Sequence, residues 1–215
     1  MESETKLNLL LGLYVGALYA SNLLGGKLMP IGFGDRGLTV AIIMFPFLFL
    51  ITDIVGEVHG KKKATSFVHV GLISLIVLLV WQLFSISITG AVPNEWYGTF
   101  NDAYGTVFSL SVTFTIASIL AFFFGQHTDV IVFHTLRKLL GKKNLWLRNN
   151  ASTTISQFID STLWVFIAFS PRLISGAFTP LSLFSIVVIP YWLAKVVFAV
   201  IDTPLCYAGV KWLKT

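Results

Sequence analysis

Charge is scarce in this chain. Only 12% of its 215 residues are Asp, Glu, Lys or Arg, while 55% are hydrophobic. A soluble domain carries about a quarter charged residues, so a water-solvated globule is excluded. Cysteine is nearly absent: Cys206 stands alone in an apolar stretch, so no intrachain disulfide can form and the residue reads as packing. The four histidines, His59, His69, His127 and His134, fall near the ends of apolar runs or in a basic segment, and no zinc-type pair lies within a run. No serine or carboxylate sits beside a histidine at membrane depth, so intramembrane hydrolysis lacks its machinery. The chain is therefore expected not to be an enzyme, and no catalytic residue, metal ligand or cofactor is assigned. An ATP-binding loop is missing too. So are the short alternating strands of a membrane β-barrel. The first apolar run follows Glu2, Glu4 and Lys6 without a basic leader or a small-residue cleavage site, and is expected to be a retained helix.

Long apolar runs fill the chain instead. Six of them, at about 7–26, 38–58, 66–88, 106–126, 149–170 and 180–212, are near the length of roughly 20 residues that spans a bilayer as a helix. The expected fold is all-α: one transmembrane domain over 1–215, a polytopic six-helix bundle. Turns rich in Gly and Pro separate several runs, as at 30–37 and 170–180. Basic residues set the orientation. Lys6, Lys61, Lys62, Lys63, Arg137, Lys138, Lys142, Lys143, Arg148, Lys211 and Lys214 share one side of this topology, against Lys27, Arg36 and Arg172 on the other. Loop 89–105 holds Glu95 and Asp102 but no lysine or arginine. Both termini are thus expected in the cytoplasm, and the net charge of +5 follows the loops rather than marking a nucleic-acid surface.

Two further patterns stand out. Gly12, Gly16 and Ala20 recur every four residues, a small-residue stripe for close helix packing or for docking a partner membrane subunit. Val130, Phe133, Leu136 and Leu140 lie at helical spacing among basic residues, so 129–140 reads as a cytoplasmic extension or an interfacial helix.

The chemistry rests on polar residues inside the apolar runs. Asp53, Asp160 and Asp202 lie eight, twelve and nine residues inward from Lys61, Arg148 and Lys211. That is a rise of about 12–18 Å, so all three reach a similar depth. A carboxylate at that depth is costly unless it faces protein, water or a partner, and is a functional candidate for that reason. Gln157 is one turn from Asp160. Lys195 is expected to neutralise an acid on a neighbouring helix, Asp160 first, whether for function or as a structural ion pair. Glu57 shares a face with Asp53, or else only pairs with the lysines that follow Gly60. Asn22, Asn149 and Phe47 complete the set, with Pro46 expected to kink its helix and free a carbonyl. A cavity of carboxylates, amides and aromatic faces suits a flat, hydrogen-bond-rich, neutral or cationic solute such as a guanine-like ring.

Ser21-Asn22, Phe45-Pro46-Phe47, Thr52-Asp53-Ile54 and Glu57 with Gly60 resemble the queuosine precursor transporter family. So do Gly125-Gln126 with Asp129 and Phe133, the run from Ala151-Ser152-Thr153 through Ser156-Gln157 to Asp160, and Lys195 with Thr203-Pro204. The resemblance covers nearly the whole chain, in order. It implies a multi-pass inner-membrane importer of 7-deazaguanines such as preQ0 and preQ1, which feed queuosine synthesis for tRNA. The partners it implies are a planar 7-deazapurine and membrane lipid, with no direct nucleic-acid binding; a homo-oligomer or an energising partner stays open. Relatives in the vitamin uptake group include substrate-binding subunits of energy-coupling-factor systems, which need a separate ATPase module. That is the alternative reading.

Overall fold

The computed structural model describes residues 3–29, 38–88, 95–141 and 144–215. The expected 30–37 turn with Arg36, residues 89–94, and Lys142 and Lys143 lie outside the described residues. Helices account for nearly all of it: α1 (Ser3–Leu24), α2 (Ala41–His59), α3 (Lys61–Ser87), α4 (Glu95–Leu140), α5 (Leu145–Ala168), two short turns α6 (Ser170–Ile174) and α7 (Pro180–Leu183), and α8 (Ile189–Lys214). A π-helical turn at Phe184–Val188 joins α7 to α8, so the last apolar run is one rod with a widened turn near its start. Between α1 and α2, β1 (Leu28–Met29) and β2 (Leu38–Thr39) pair antiparallel, Leu28 opposite Thr39.

Among the described residues, five helices are long and apolar enough to cross a membrane: Ser3–Leu24, Ala41–His59, Lys61–Ser87, Trp96–Leu140 and Pro180–Lys214. The protein is a multi-pass membrane protein. The expected fifth run, 149–170, forms α5, which falls short of that apolar composition because its buried face is polar from Arg148 to Ser161. Residues 129–140, expected as a cytoplasmic extension or an interfacial helix, continue α4 without a break, and Val130 and Phe133 join the core.

Contacts across the bundle fix the helix directions. Lys6 Nζ donates to the Trp212 carbonyl at 2.8 Å, so the N- and C-terminal helices begin and end together. Gln82 Nε2 donates to Ser111 Oγ at 2.8 Å, holding α3 antiparallel to α4 at the end near the ribbon. Gly209 of α8 packs on Ile54 of α2, where an added Cβ would come within 2.4 Å of the isoleucine. Gly60, at φ +84°, makes the α2–α3 turn in a conformation that favours glycine. Among the described residues, Gly12 and Gly16 of the small-residue stripe on α1 pack against nothing: a Cβ at either would meet no atom within 4 Å. Its opposite face, with Leu10, Tyr14 and Leu18, enters the core instead.

Candidate binding site

Polarity in α5 is turned inward. Arg148, Ser152, Ser156, Asp160 and Trp164 recur every four residues and are all buried, with Asn149, Thr153, Gln157 and Ser161 buried beside them. The exposed face carries Trp146, Ile155 and Phe158. A helix in lipid has no water for its polar side chains, so they must face other helices. They meet α2, α4 and α8 in three successive layers.

At the first layer, Lys195 Nζ of α8 lies 2.5 Å from Asp160 Oδ2 and 4.7 Å from the centre of the Phe45 ring of α2. Asp160 backs onto Gly125 of α4, where a Cβ would fall 2.9 Å from the aspartate's own Cβ, so only glycine lets the two helices approach so closely. Asp160 Oδ1 and both amide atoms of Gln157 are buried without a hydrogen-bond partner. Buried polar atoms in native proteins nearly always find a partner or a bound water. Asp160 and Gln157 thus leave three hydrogen-bonding atoms uncommitted at this layer.

One turn along, Asp129 of α4 accepts from Ser156 Oγ at 3.0 Å. Its carboxyl also lies within hydrogen-bonding reach of Asp53 on α2. Asp53 Oδ2 and Asp129 Oδ2 have no donor of their own. Thr52 Oγ1 donates to Gln126 Oε1 at 3.1 Å on the same level. Half-buried Asp202 of α8 lies close enough to Asp53 to interact with it.

The third layer lies toward the chain termini. Glu57 Oε2 is 2.8 Å from Arg148 Nη1 and 3.5 Å from Arg137 Nη1, and Arg137 also donates to the Gly56 carbonyl at 3.0 Å. Arg148 is fully buried and its guanidinium lies over the Phe133 ring at 5.1 Å.

Asp160, Gln157, Lys195 and Asp53 therefore converge, with Asp202 at their margin, and the Lys195–Asp160 pair is the expected one. Glu57 corrects the expectation of lysine partners: two arginines from α4 and α5 reach it through the core. Phe47 is also corrected. It is 42% exposed on the outer face of α2, and Phe45, two residues earlier and buried, is the ring that faces the charged pair. Asn22 is buried elsewhere: its amide donates to the Leu18 carbonyl, and its backbone carbonyl accepts from Ser111 on α4. Asn149 is buried near the third layer, with Oδ1 lacking a donor. Reading the sequence residue by residue missed Asp129 as a member of the acid set, and Ser156 and Arg148 as its neighbours. The four-residue recurrence of polar side chains in α5 was the signal that could have found the last two.

The family model described as "Putative vitamin uptake transporter" matches residues 39–209. The chain is 28% identical over 180 residues to a Bacillus subtilis protein named "Probable queuosine precursor transporter", covering 82% of this chain and 74% of that protein. A Haemophilus influenzae protein of the same name is 29% identical, covering 61% of this chain and 52% of its own length. The Escherichia coli protein named "Queuosine precursor transporter" is 28% identical, covering 66% and 59%. No solved structure matches the chain. A match across most of the sequence, on a helical membrane bundle with a buried polar interior, places this chain in the vitamin uptake transporter family.

Proposed function

We propose that this chain imports 7-deazaguanine precursors of queuosine, preQ0 and preQ1 among them, across the inner membrane. Six helices cross, α5 being the polar one, and both termini are cytoplasmic. The names of the relatives support the solute class. The observation that carries the site is Gln157: it is 1% exposed and neither amide atom has a partner, one turn from the unpartnered Asp160 Oδ1. An amide and a carboxylate side by side match the donor and acceptor edge of a guanine-like ring. Asp160 with Gln157 reads that edge, and Asp53 or Asp202 accepts a cationic substituent. Cells unable to make the base, supplied with preQ0 or preQ1 at low concentration, test this. Wild-type protein should restore queuosine in tRNA, and Asp160→Asn should abolish it with membrane insertion preserved. Normal restoration by that variant removes Asp160 from the site.

A second reading is favoured by the outward-facing stripe of α1. A substrate-binding subunit that needs a separate ATPase module would dock through Gly12 and Gly16. Since a Cβ there meets nothing among the described residues, Gly16→Leu should leave the monomer folded. Lost uptake with an intact monomer favours the docked subunit, and unchanged uptake favours the solitary importer.

A further inference from the structure

A narrow cleft opens one turn beyond the Asp160–Lys195 pair, toward the β-ribbon. It is lined by Thr39, Phe45, Ser161, Trp164, Tyr191 and Lys195, among others, and has room for one water at most. Two of its walls are aromatic rings from different helices. Trp164 of α5 and Tyr191 of α8 lie nearly parallel, 21° apart, with centroids 6.0 Å from each other. Each ring is fixed by its polar tip: Trp164 Nε1 donates to Ser118 Oγ at 3.2 Å, and the Tyr191 hydroxyl accepts from the Thr39 N–H at 2.8 Å. Ser161 Oγ, in the same cleft, is buried without a partner.

A flat ring held between two parallel rings sets their centres roughly 7 Å apart, twice the thickness of a π-system. The two centres are 6.0 Å apart and the cleft between α5 and α8 is narrow, so the helices would have to part for a planar solute to stand between the rings. Tyr191 is bonded to the ribbon, so that parting would be felt at Thr39. We infer that Trp164 and Tyr191 are the stacking walls of the solute site, taking a planar, hydrogen-bond-rich heterocycle between their faces, with the Ser161 hydroxyl turned to its edge. This deepens the importer reading and rests on it.

The test is equilibrium binding of preQ0 and preQ1 to the purified protein in lipid nanodiscs. Trp164→Ala and Tyr191→Ala should each weaken binding about tenfold or more, the worth of one base–aromatic stack. Trp164→Phe and Tyr191→Phe, which keep a ring, should stay within about threefold of wild type on the same grounds. Ser161→Leu, whose side chain would fill the cleft, should block binding. If wild type binds and the folded ring-less variants bind equally well, the wall assignment fails while the importer reading stands. Should those variants not fold, unchanged affinity in Ser161→Leu overturns the assignment. Wild type binding neither compound overturns both.

Discussion

Asp160 and Lys195 show at the residue scale why charge inside this bundle comes in pairs. Each is nearly fully buried, and the partner arrives from another helix 35 residues away. Removing one member of a buried pair strands the other and costs about 3–5 kcal/mol, whereas removing both is far milder. Lys195→Met alone should therefore lower the unfolding temperature in detergent markedly, and Asp160→Asn with Lys195→Met should recover most of that loss. If the pair also serves the solute, the double variant stays stable but transports nothing. Recovered stability with recovered uptake would make the pair structural only. Gly125 belongs to the same argument, since its missing Cβ is the space in which Asp160 stands. Gly125→Val should disturb uptake more than the equally apolar change Ile155→Val on the exposed face of α5.

Among the elements, α5 is the one whose pattern runs against the rule for soluble helices. Its buried stripe is polar and its exposed stripe is apolar, an inversion that only a lipid surround rewards. The polar stripe also lowers its overall hydropathy below that of the other long helices, which explains why length and composition alone do not single it out. Its role as a crossing is open to direct measurement. In a Cys206→Ser background, Lys138→Cys and Ser175→Cys bracket the helix at exposed positions. An impermeant thiol reagent added to intact cells should label Ser175→Cys and spare Lys138→Cys until the membrane is opened. Equal labelling of both from outside would mean that α5 turns back on the same side. Helix α4 makes a different point: 46 residues rise about 70 Å, more than twice the bilayer's hydrocarbon thickness, so its ends must stand clear of the membrane.

For the molecule as a whole, three polar layers share one axis. The first couples α5 to α8 and α2, the second α5 to α4 and α2, and the third ties Glu57 to arginines on α4 and α5. The third lies at the end where Lys6 meets the last helix. Basic residues crowd that end, so a reporter fused to the C-terminus should be active in the cytoplasm and silent when it needs export. The opposite result would invert the importer's orientation. The Arg137–Glu57 link, the weaker of the two at 3.5 Å and partly exposed, is the contact whose loss should loosen this end with least harm to the fold. Arg137→Ala is expected to lower the unfolding temperature less than Arg148→Ala, because Glu57 keeps its shorter bond to the fully buried Arg148.

Helical class, the apolar runs and the placing of Asp53, Asp160 and Lys195 within long helices were legible in the chain, because hydropathy and periodicity act locally and need no knowledge of neighbours. Partner choice was not. Glu57 has three lysines next to it in sequence, yet it takes arginines 80 and 91 residues away, since the turn at Gly60 sends those lysines to an exposed surface while its own side chain points into the core. Which of two phenylalanines around Pro46 faces the site was likewise a matter of helix rotation, and rotation is decided by what packs on the other side. Depth is a property of one helix; convergence is a property of four, and only their packing brings the carboxyls, the amide and the lysine together.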